Sequence, residues 1–490
     1  MYVMGIDAGT QSIKVLVYDE GKRNKVAFSQ KSLDLISKND GTREQKASWW
    51  IDALTACFDE IGREVLSKVK VLAISGQQHG FVPVAEDKSV LSNVKLWCDT
   101  STVKECDEIS NSFGGEERLI KEVGNPIMPG YTASKILYLK KHNEESFNKM
   151  RYVLLPHDYL NYYLTGIAVM EKGDASGTGL MTIKDGTWNI ELCNIISPSL
   201  IDKLPKIVNP GIIGCVKDEI AERFGFNNDT LVATGGGDNM MAAIGTGCVE
   251  DGSLTISLGT SGTMFASSIL PIIDDKNRLA AFRSSHNTYL PLLCTMNCTV
   301  ASESVRKLFN LSAQDFDKLA SQAPIGAEGL VFLPFLNGER VPNLPFGEGV
   351  LGGMNVMNIK SENIARSVLE GVSYEFLLGL EAFKEKGFEA KVITLTGGGA
   401  NSSFWRQMLC DMLSCSVRVT KEKEAAAFGA ILQALWLIGD KDLSEVVNEH
   451  LVFDETKACS PNLDNSELYQ KVYKKWKSYT DSLTNQFKQA

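Results

Sequence analysis

One turn occurs twice in this chain, and its recurrence limits the folds open to it. A strand pattern over Tyr2–Asp7 ends at Gly9-Thr10, and a second strand rich in β-branched residues, Ile13–Tyr18, follows. Half a chain later Ser253–Leu258 ends at Gly259-Thr260-Ser261-Gly262, and the strand Thr263–Ala266 follows. A supersecondary unit repeated at half the chain length predicts two lobes of similar topology facing each other. The turn Asp19–Lys25 leads to a third strand near Val26–Ser29, and later strands (Val69–Ser75, Leu231–Thr234, Val392–Thr396) alternate with helical segments. A meander followed by strand–helix units gives a mixed sheet covered by helices, an α/β fold.

Two helical segments stand out further along. Asn363–Gly387 is apolar at Ile364, Val368, Val372, Phe376, Leu380 and Phe383, which predicts a helix with one buried stripe, capped by Gly387. The polar, lysine-rich tail after Leu463 predicts a terminal helix lying on a lobe.

Several function classes are excluded. The formal net charge is −10, so the whole-chain field repels polyanions and argues against nucleic acid as partner. The eleven cysteines are odd in number and contain no CxxC pair, which fits reduced thiols in a cytoplasmic protein better than zinc or disulfides. The start MYVMGIDAG enters a strand at once, without the basic and apolar regions of a secretory leader. No apolar run approaches the roughly 18 residues of a membrane span. There is no GxxxxGK[ST], no credible GxGxxG and no GxSxG, so P-loop kinases, Rossmann dehydrogenases and serine hydrolases lack support.

Four glycine-rich turns carry the candidate chemistry, each following a strand. In Asp7-Ala8-Gly9-Thr10-Gln11-Ser12-Ile13-Lys14, glycine lets backbone N–H groups approach a phosphate, Thr10 adds a hydroxyl donor, and Asp7 is placed to support a magnesium ion through water. Gly259-Thr260-Ser261-Gly262 is the same device in the other half, so the pair suggests a phosphate clamp between lobes. Thr396-Gly397-Gly398-Gly399-Ala400-Asn401 precedes a helix, which leaves room for a flat base or ribose; the plain alternative is a helix cap by Asn401 or Ser402. Gly235-Gly236-Gly237 precedes Asp238-Asn239, and three glycines before a carboxylate are more than an N-cap needs. They suggest space cleared for a substrate to reach Asp238.

With these turns the chain resembles the FGGY carbohydrate kinases over nearly its whole length. The matching stretches run in the family's order, among them GIDAGTQSIKVLVYD (5–19), SGQQHG (75–80), LWCD (96–99), GNPIMPGYTASK (124–135), LLPHDYL (154–160), GGGDNMMAAIGTG (235–247), SLGTSG (257–262), FLPFLNGERVP (332–342) and GGGANSSFWRQMLCDML (397–413). The resemblance implies two actin-like ATPase lobes of the RNase H type, with the active site in the cleft between them. The lobes are expected at 1–245 (sugar-binding) and 246–445 (nucleotide-binding), with a helical tail at 446–490. It implies ATP and Mg²⁺ as cofactors and a small sugar as partner; membrane and nucleic acid are not expected, and a homodimer is left open.

Residue by residue, the resemblance makes Asp238 the catalytic base and puts Asp7 at the metal. Gly9, Thr10, Gln11, Lys14, Gly259, Thr260, Ser261, Gly398, Gly399 and Asn401 fall to the nucleotide. Gln78, His79, Trp97, Asp99, Asp238 and Asn239 fall to the sugar. Gln78-His79 and the MPGYTASK stretch favour xylulose, phosphorylated at its 5-hydroxyl. Ribulose, gluconate or glycerol is the alternative within the class, and an actin- or heat-shock-type ATPase switch lies outside it. His79 reads as a wall of the sugar site rather than a base, and Glu339-Arg340 as a structural ion pair. Cys98, Ser101 and Tyr138 depart from the residues common in bacterial relatives, so the fine shape of the sugar site is where this chain differs.

Overall fold

The computed structural model describes residues 1–487 of the 490, so the last three residues of the expected tail lie outside the described residues. The first lobe begins with strands β1 (Tyr2–Ala8), β2 (Ser12–Asp19) and β3 (Asn24–Ser32), paired antiparallel in sequence order. The chain then covers the sheet with helix α1 (Ala47–Ile61) and returns as β4 (Val69–Gly76), parallel to β1. Helix α2 (Pro156–Thr165) packs against β4. Strands β5 (Ile212–Cys215), β6 (Leu231–Ala233) and β7 (Gly236–Gly237) complete a seven-stranded sheet of order β5-β6-β4-β1-β2-β3, with β7 paired to β4. Helix α3 (Asp238–Gly245) leaves directly from β7.

The second lobe repeats this plan. Strands β8 (Ser253–Leu258), β9 (Gly262–Ala266) and β10 (Leu292–Thr295) form the antiparallel meander. Helix α4 (Ser361–Glu385) crosses back to β11 (Val392–Thr396), parallel to β8. Helix α5 (Ser403–Leu413) then leads to β12 (Val417–Val419), giving the order β10-β9-β8-β11-β12. In each sheet the first strand thus pairs with its antiparallel neighbour on one side and with a later parallel strand on the other, and a second parallel strand lies beyond that one. The half-length repeat is a repeat of whole lobes.

Strand alternation assigns the faces. Met4, Ile6 and Ala8 enter a core with Trp50, Leu54 and Phe58 of α1. Val3 turns to the opposite face, where it joins Val71 and Ala73 of β4 against helix α6 (Ala425–Ile438). Asp7 shares that parity, which aims its carboxylate at the junction between lobes. In the second lobe Leu254, Ile256 and Leu258 enter the core of α4 and α5, while Ser253, Thr255 and Ser257 face the junction.

The reading of one helix requires correction. Helix α4 is buried nearly all round, not along one stripe: Arg366 and Glu370 are buried as an ion pair at 2.6 Å, and Arg366 also donates to the Tyr469 hydroxyl at 2.7 Å and the Ala323 carbonyl at 2.8 Å. Ile364, the first residue of the expected stripe, is only half-buried. The helix does end as expected, with Gly387 at φ +82° and the Phe388 N–H reaching back to the Phe383 carbonyl. Helix α6 and helix α7 (Leu443–His450) lie in the apolar cluster with the first sheet. The terminal helix α8 (Leu463–Phe487) then packs back on the second lobe through Tyr469, Tyr473 and Trp476.

Helices α3 and α6 cross between the two sheets at van der Waals contact. A Cβ on Gly245 would stand 1.9 Å from the Ala425 carbonyl oxygen, and one on Gly429 1.8 Å from that of Met241. Both neighbours are backbone and cannot swing away. Gly429→Ala is expected to cost at least about 1–3 kcal/mol, the range for overpacking a core. Gly398→Ala, which meets nothing within 4 Å, should leave stability unchanged. Urea unfolding of the two variants checks this.

Candidate active site

The crossing helices bring their N-termini to a cleft of about 250 Å³ between the lobes, lined by Asp7, Lys14, Asn239, Ser257, Thr396 and Glu424 among others. Asp7 accepts a hydrogen bond from Ser75 Oγ at 3.1 Å across the β1–β4 pair. Burial pushes its carboxyl pKa upward, against the pull of Lys14 and the Ser75 hydroxyl. Lys14 meets Glu424 at 2.6 Å, immediately before α6 begins. Burial disfavours the Lys14 charge, but Glu424 and Asp7 outweigh it and the pKa is raised.

The two phosphate-type turns share a design. In the first, the Thr10 carbonyl accepts from Gln45 Nε2 at 2.8 Å and the Gln11 carbonyl from the Leu33 N–H at 2.9 Å. In the second, the Gly259 carbonyl accepts from the Thr299 N–H at 2.9 Å and the Thr260 carbonyl from the Cys298 N–H at 3.0 Å. These bonds hold the carbonyls to the protein, and the Gly9 N–H is spent as well, on the Ser12 carbonyl at 3.1 Å. The Thr10 hydroxyl is a correction: it donates to Gln77 Oε1 at 3.1 Å and accepts from Trp97 Nε1 at 2.9 Å. Its one proton is committed, so it has no donor left for a phosphate. Trp97 likewise spends its N–H there and has only its ring face to offer.

In the third turn Gly397 sits at φ +83°, its Cβ position 2.7 Å from the Leu258 backbone, while Gly398 faces open space. Gly399 is required by packing, since a Cβ there would stand 2.8 Å from Leu258 Cβ and 2.9 Å from Trp405. Asn401 is exposed and donates to the Gly398 carbonyl at 3.2 Å, while Ser402 caps α5 by accepting from the Trp405 N–H. In the fourth turn, the glycines were expected to clear space for a substrate. They answer instead to protein contacts: Gly235, at φ +68°, approaches the Ile74 carbonyl, Gly236 the Ser285 hydroxyl, and Gly237 the Gln78 side chain. Gln433 of α6 clamps Gly235 by bonding both its N–H and its carbonyl at 3.0 Å.

Asp238 opens α3, and its Oδ1 accepts from the Asn239 N–H at 2.8 Å and Asn239 Nδ2 at 3.1 Å. Burial, then repulsion from Asp7 and Asp174, pushes its pKa up to about 7, partly offset by the Asn239 N–H. Asn239 Nδ2 also donates to Gln78 Oε1 at 2.9 Å, which joins two of the expected sugar contacts to the expected base. His79 occupies a left-handed backbone position at φ +64°, with its carbonyl held by Lys135 Nζ at 2.9 Å and Thr132 Oγ1 at 3.2 Å. Its ring packs between Tyr131 and Phe282. Burial, aided by Lys135 and Arg340, pushes its pKa down to about 3, so it stays neutral at ordinary pH and is a poor base.

Two further expectations differ from the structure. Asp99 is fully buried and accepts from the Arg43 N–H at 2.8 Å, the Ser101 N–H at 3.0 Å, Ser101 Oγ at 2.6 Å and Lys95 Nζ at 3.3 Å. Its carboxylate is spent on its own loop and has nothing left for a sugar. Glu339 and Arg340 form no ion pair among the described residues. Glu339 accepts instead from the Met296 and Arg340 N–H groups and from Asn297 Nδ2, while Arg340 is exposed. Glu424 and Gln433 were missed. Their signal is the abrupt change from Lys421-Glu422-Lys423-Glu424 to Ala425-Ala426-Ala427, where a charged run gives way to small residues at a helix start.

Two actin-like lobes with paired anion-type turns and carboxylates at their junction define a class of ATP-dependent phosphotransferases. Models of the N- and C-terminal domains of the FGGY family of carbohydrate kinases match residues 2–245 and 254–438. A xylulose kinase of Haemophilus influenzae is 39% identical, the match covering 99% of this chain and 100% of that protein. Among solved structures, a ligand-bound xylulose kinase and a gluconate kinase, both from Lactobacillus acidophilus, each give a TM-score of 0.93 at 26% identity, with 100% of this chain and 99% of theirs covered. The chain belongs to the FGGY family of carbohydrate kinases.

The Asp99 geometry yields a prediction. Asp99→Asn leaves buried donors unmatched and should destabilise the first lobe by about 1–3 kcal/mol. The KM for sugar should change less than about twofold. Thermal unfolding and saturation kinetics on the same preparation check both.

Proposed function

We propose that this chain transfers the terminal phosphoryl group of ATP to the 5-hydroxyl of D-xylulose, with Asp238 as general base. The observation that carries this reading is a single carboxyl, raised to about 7, at the start of a helix that opens into the inter-lobe cleft. A base with a pKa near the working pH combines a usable unprotonated fraction with a strong pull on the proton. The hydroxyl donates to Asp238, which takes the proton as the bond to phosphorus forms. Phosphoryl transfer otherwise needs positioning and charge neutralisation, which the two turns and Lys14 can supply.

The sugar assignment rests on the curated relatives, since solved xylulose and gluconate kinases are equally similar in fold. Magnesium fits the donor set: Asp7 presents a hard carboxylate oxygen, and no group of three His, Cys, Asp or Glu among the described residues could enclose a metal. An ion held by one carboxylate, waters and phosphate oxygens is the usual magnesium arrangement. When bound it would neutralise charge on the triphosphate. All eleven cysteines are free thiols, which suits a reducing compartment such as the cytoplasm. No helix among the described residues is long and apolar enough to cross a membrane.

Sugar-dependent ADP release across D-xylulose, D-ribulose, D-gluconate and glycerol tests the substrate; a higher kcat/KM for another member would replace xylulose. Asp238→Asn should lower kcat by roughly 10²–10⁴ while nucleotide still binds. Because Asp238 acts unprotonated, kcat/KM should fall as pH drops through about 7. A flat profile from pH 6 to 8 would count against it as the base.

A further inference from the structure

Behind Asp238 lies a buried polar line for which the proposed reaction has no stated use. His157, on α2, is fully buried; its Nε2 lies 3.0 Å from Asp158 Oδ1 and its Nδ1 2.7 Å from Asp174 Oδ2. Asp174 is fully buried as well, and its other oxygen, Oδ1, has no hydrogen-bond partner. The same is true of Gln78 Nε2, on a side chain that is 4% exposed. These two orphans are neighbours. A Cβ on Gly237 would stand 2.8 Å from Gln78 Cγ and 3.1 Å from Asp174 Oδ1, so both side chains flank the residue before Asp238.

The orientation of the Gln78 amide follows from its surroundings. Its Oε1 is claimed by Asn239 Nδ2 at 2.9 Å, which turns Nε2 toward Asp174. No hydrogen bond joins the two in this structure, but the Gln78 amide draws the Asp174 pKa downward, so the unmatched donor and the unmatched acceptor act on one another at close range. The same Asn239 Nδ2 reaches Asp238 Oδ1 at 3.1 Å. Two hydrogen-bonded pieces therefore lie end to end, His157–Asp174 and Gln78–Asn239–Asp238, with Asp174 and Gln78 side by side at the junction, and together they draw on three segments that are distant in sequence.

We propose that Asp174, seated by His157, and Gln78 are positioning residues for the transfer: they hold the Asn239 amide, and through it the Asp238 carboxyl, in the orientation that receives the acceptor's proton. This rests on Asp238 being the base. Gln78 is then more than a sugar contact, because removing its amide slackens the base without removing the sugar's pocket. A misaligned base lowers turnover more than binding, since proton transfer is required only in the transition state.

The test is a double-mutant cycle on the full chain with saturating ATP. Gln78→Met keeps the bulk and removes the amide; Asp174→Asn removes the acceptor charge. Each single change is expected to lower kcat roughly tenfold with the KM for sugar within about twofold, and the double variant should be no slower than the slower single one. Losses that multiply in the double variant would overturn the line. A raised KM with unchanged kcat for Gln78→Met would reduce Gln78 to a sugar contact and overturn it too. If Asp174→Asn does not fold, the Gln78→Met and Asn239→Ala pair gives the same readout for the link nearest the base. Failure of the underlying reading looks different: Asp238→Asn would then retain turnover.

Discussion

The structure depends on the crossing of α3 and α6. Two helices can sit between two sheets, and meet backbone to backbone, only where neither carries a side chain at the crossing, and Gly245 and Gly429 meet that requirement from opposite halves of the chain. On one side the pair buries Val3, Leu16 and Ala73 of the first sheet; on the other it buries Phe265 and Leu292 of the second. A hydrogen bond of 2.8 Å between the hydroxyls of Thr246 and Thr255 ties the end of α3 to the second sheet. Gly5 continues the theme on β1, where a Cβ would stand 1.9 Å from the Ala427 carbonyl. This apolar joint fixes the distance between the lobes and, with it, the width of the cleft.

The candidate site follows from that joint. Asp238 begins one crossing helix and Glu424 immediately precedes the other, so their positions relative to Asp7 and Lys14 are set by packing rather than by local sequence. Gln433 makes the dependence direct: from within α6 it bonds the backbone of Gly235, three residues before the proposed base. The Asp238 carboxyl owes its raised pKa first to burial in this junction and then to Asp7, a residue that strand parity sends to the same face.

Much of the fold could be read before the structure was seen, because its strongest signals are local and repeated. The strand–turn–strand units, the meander, Gly387 and the terminal helix all depend on neighbours in sequence. Errors arose where a residue's partner was distant. Asp99 looks like a pocket carboxylate until Arg43, from another segment, fills it. The three glycines before Asp238 look like an opening until Ile74, Ser285 and Gln78 occupy the space. Arg366 and Glu370 interrupt an apolar pattern, but their ion pair and Tyr469 let α4 be buried on both sides.

By itself the sequence determined the α/β class, the twofold architecture and the four turns, because periodicity, turn chemistry and motif order are properties of contiguous residues. The tertiary structure alone decided which groups remain available at those turns. Thr10 and Trp97 satisfy each other, Asp99 is spent on its loop, Glu424 arrives from the far end of the chain, and Gln78 bonds Asn239 beside Asp174. The physical reason is that a polar group's role depends on whether its hydrogen-bonding capacity is already used, and that is settled by residues the chain brings close only when it folds.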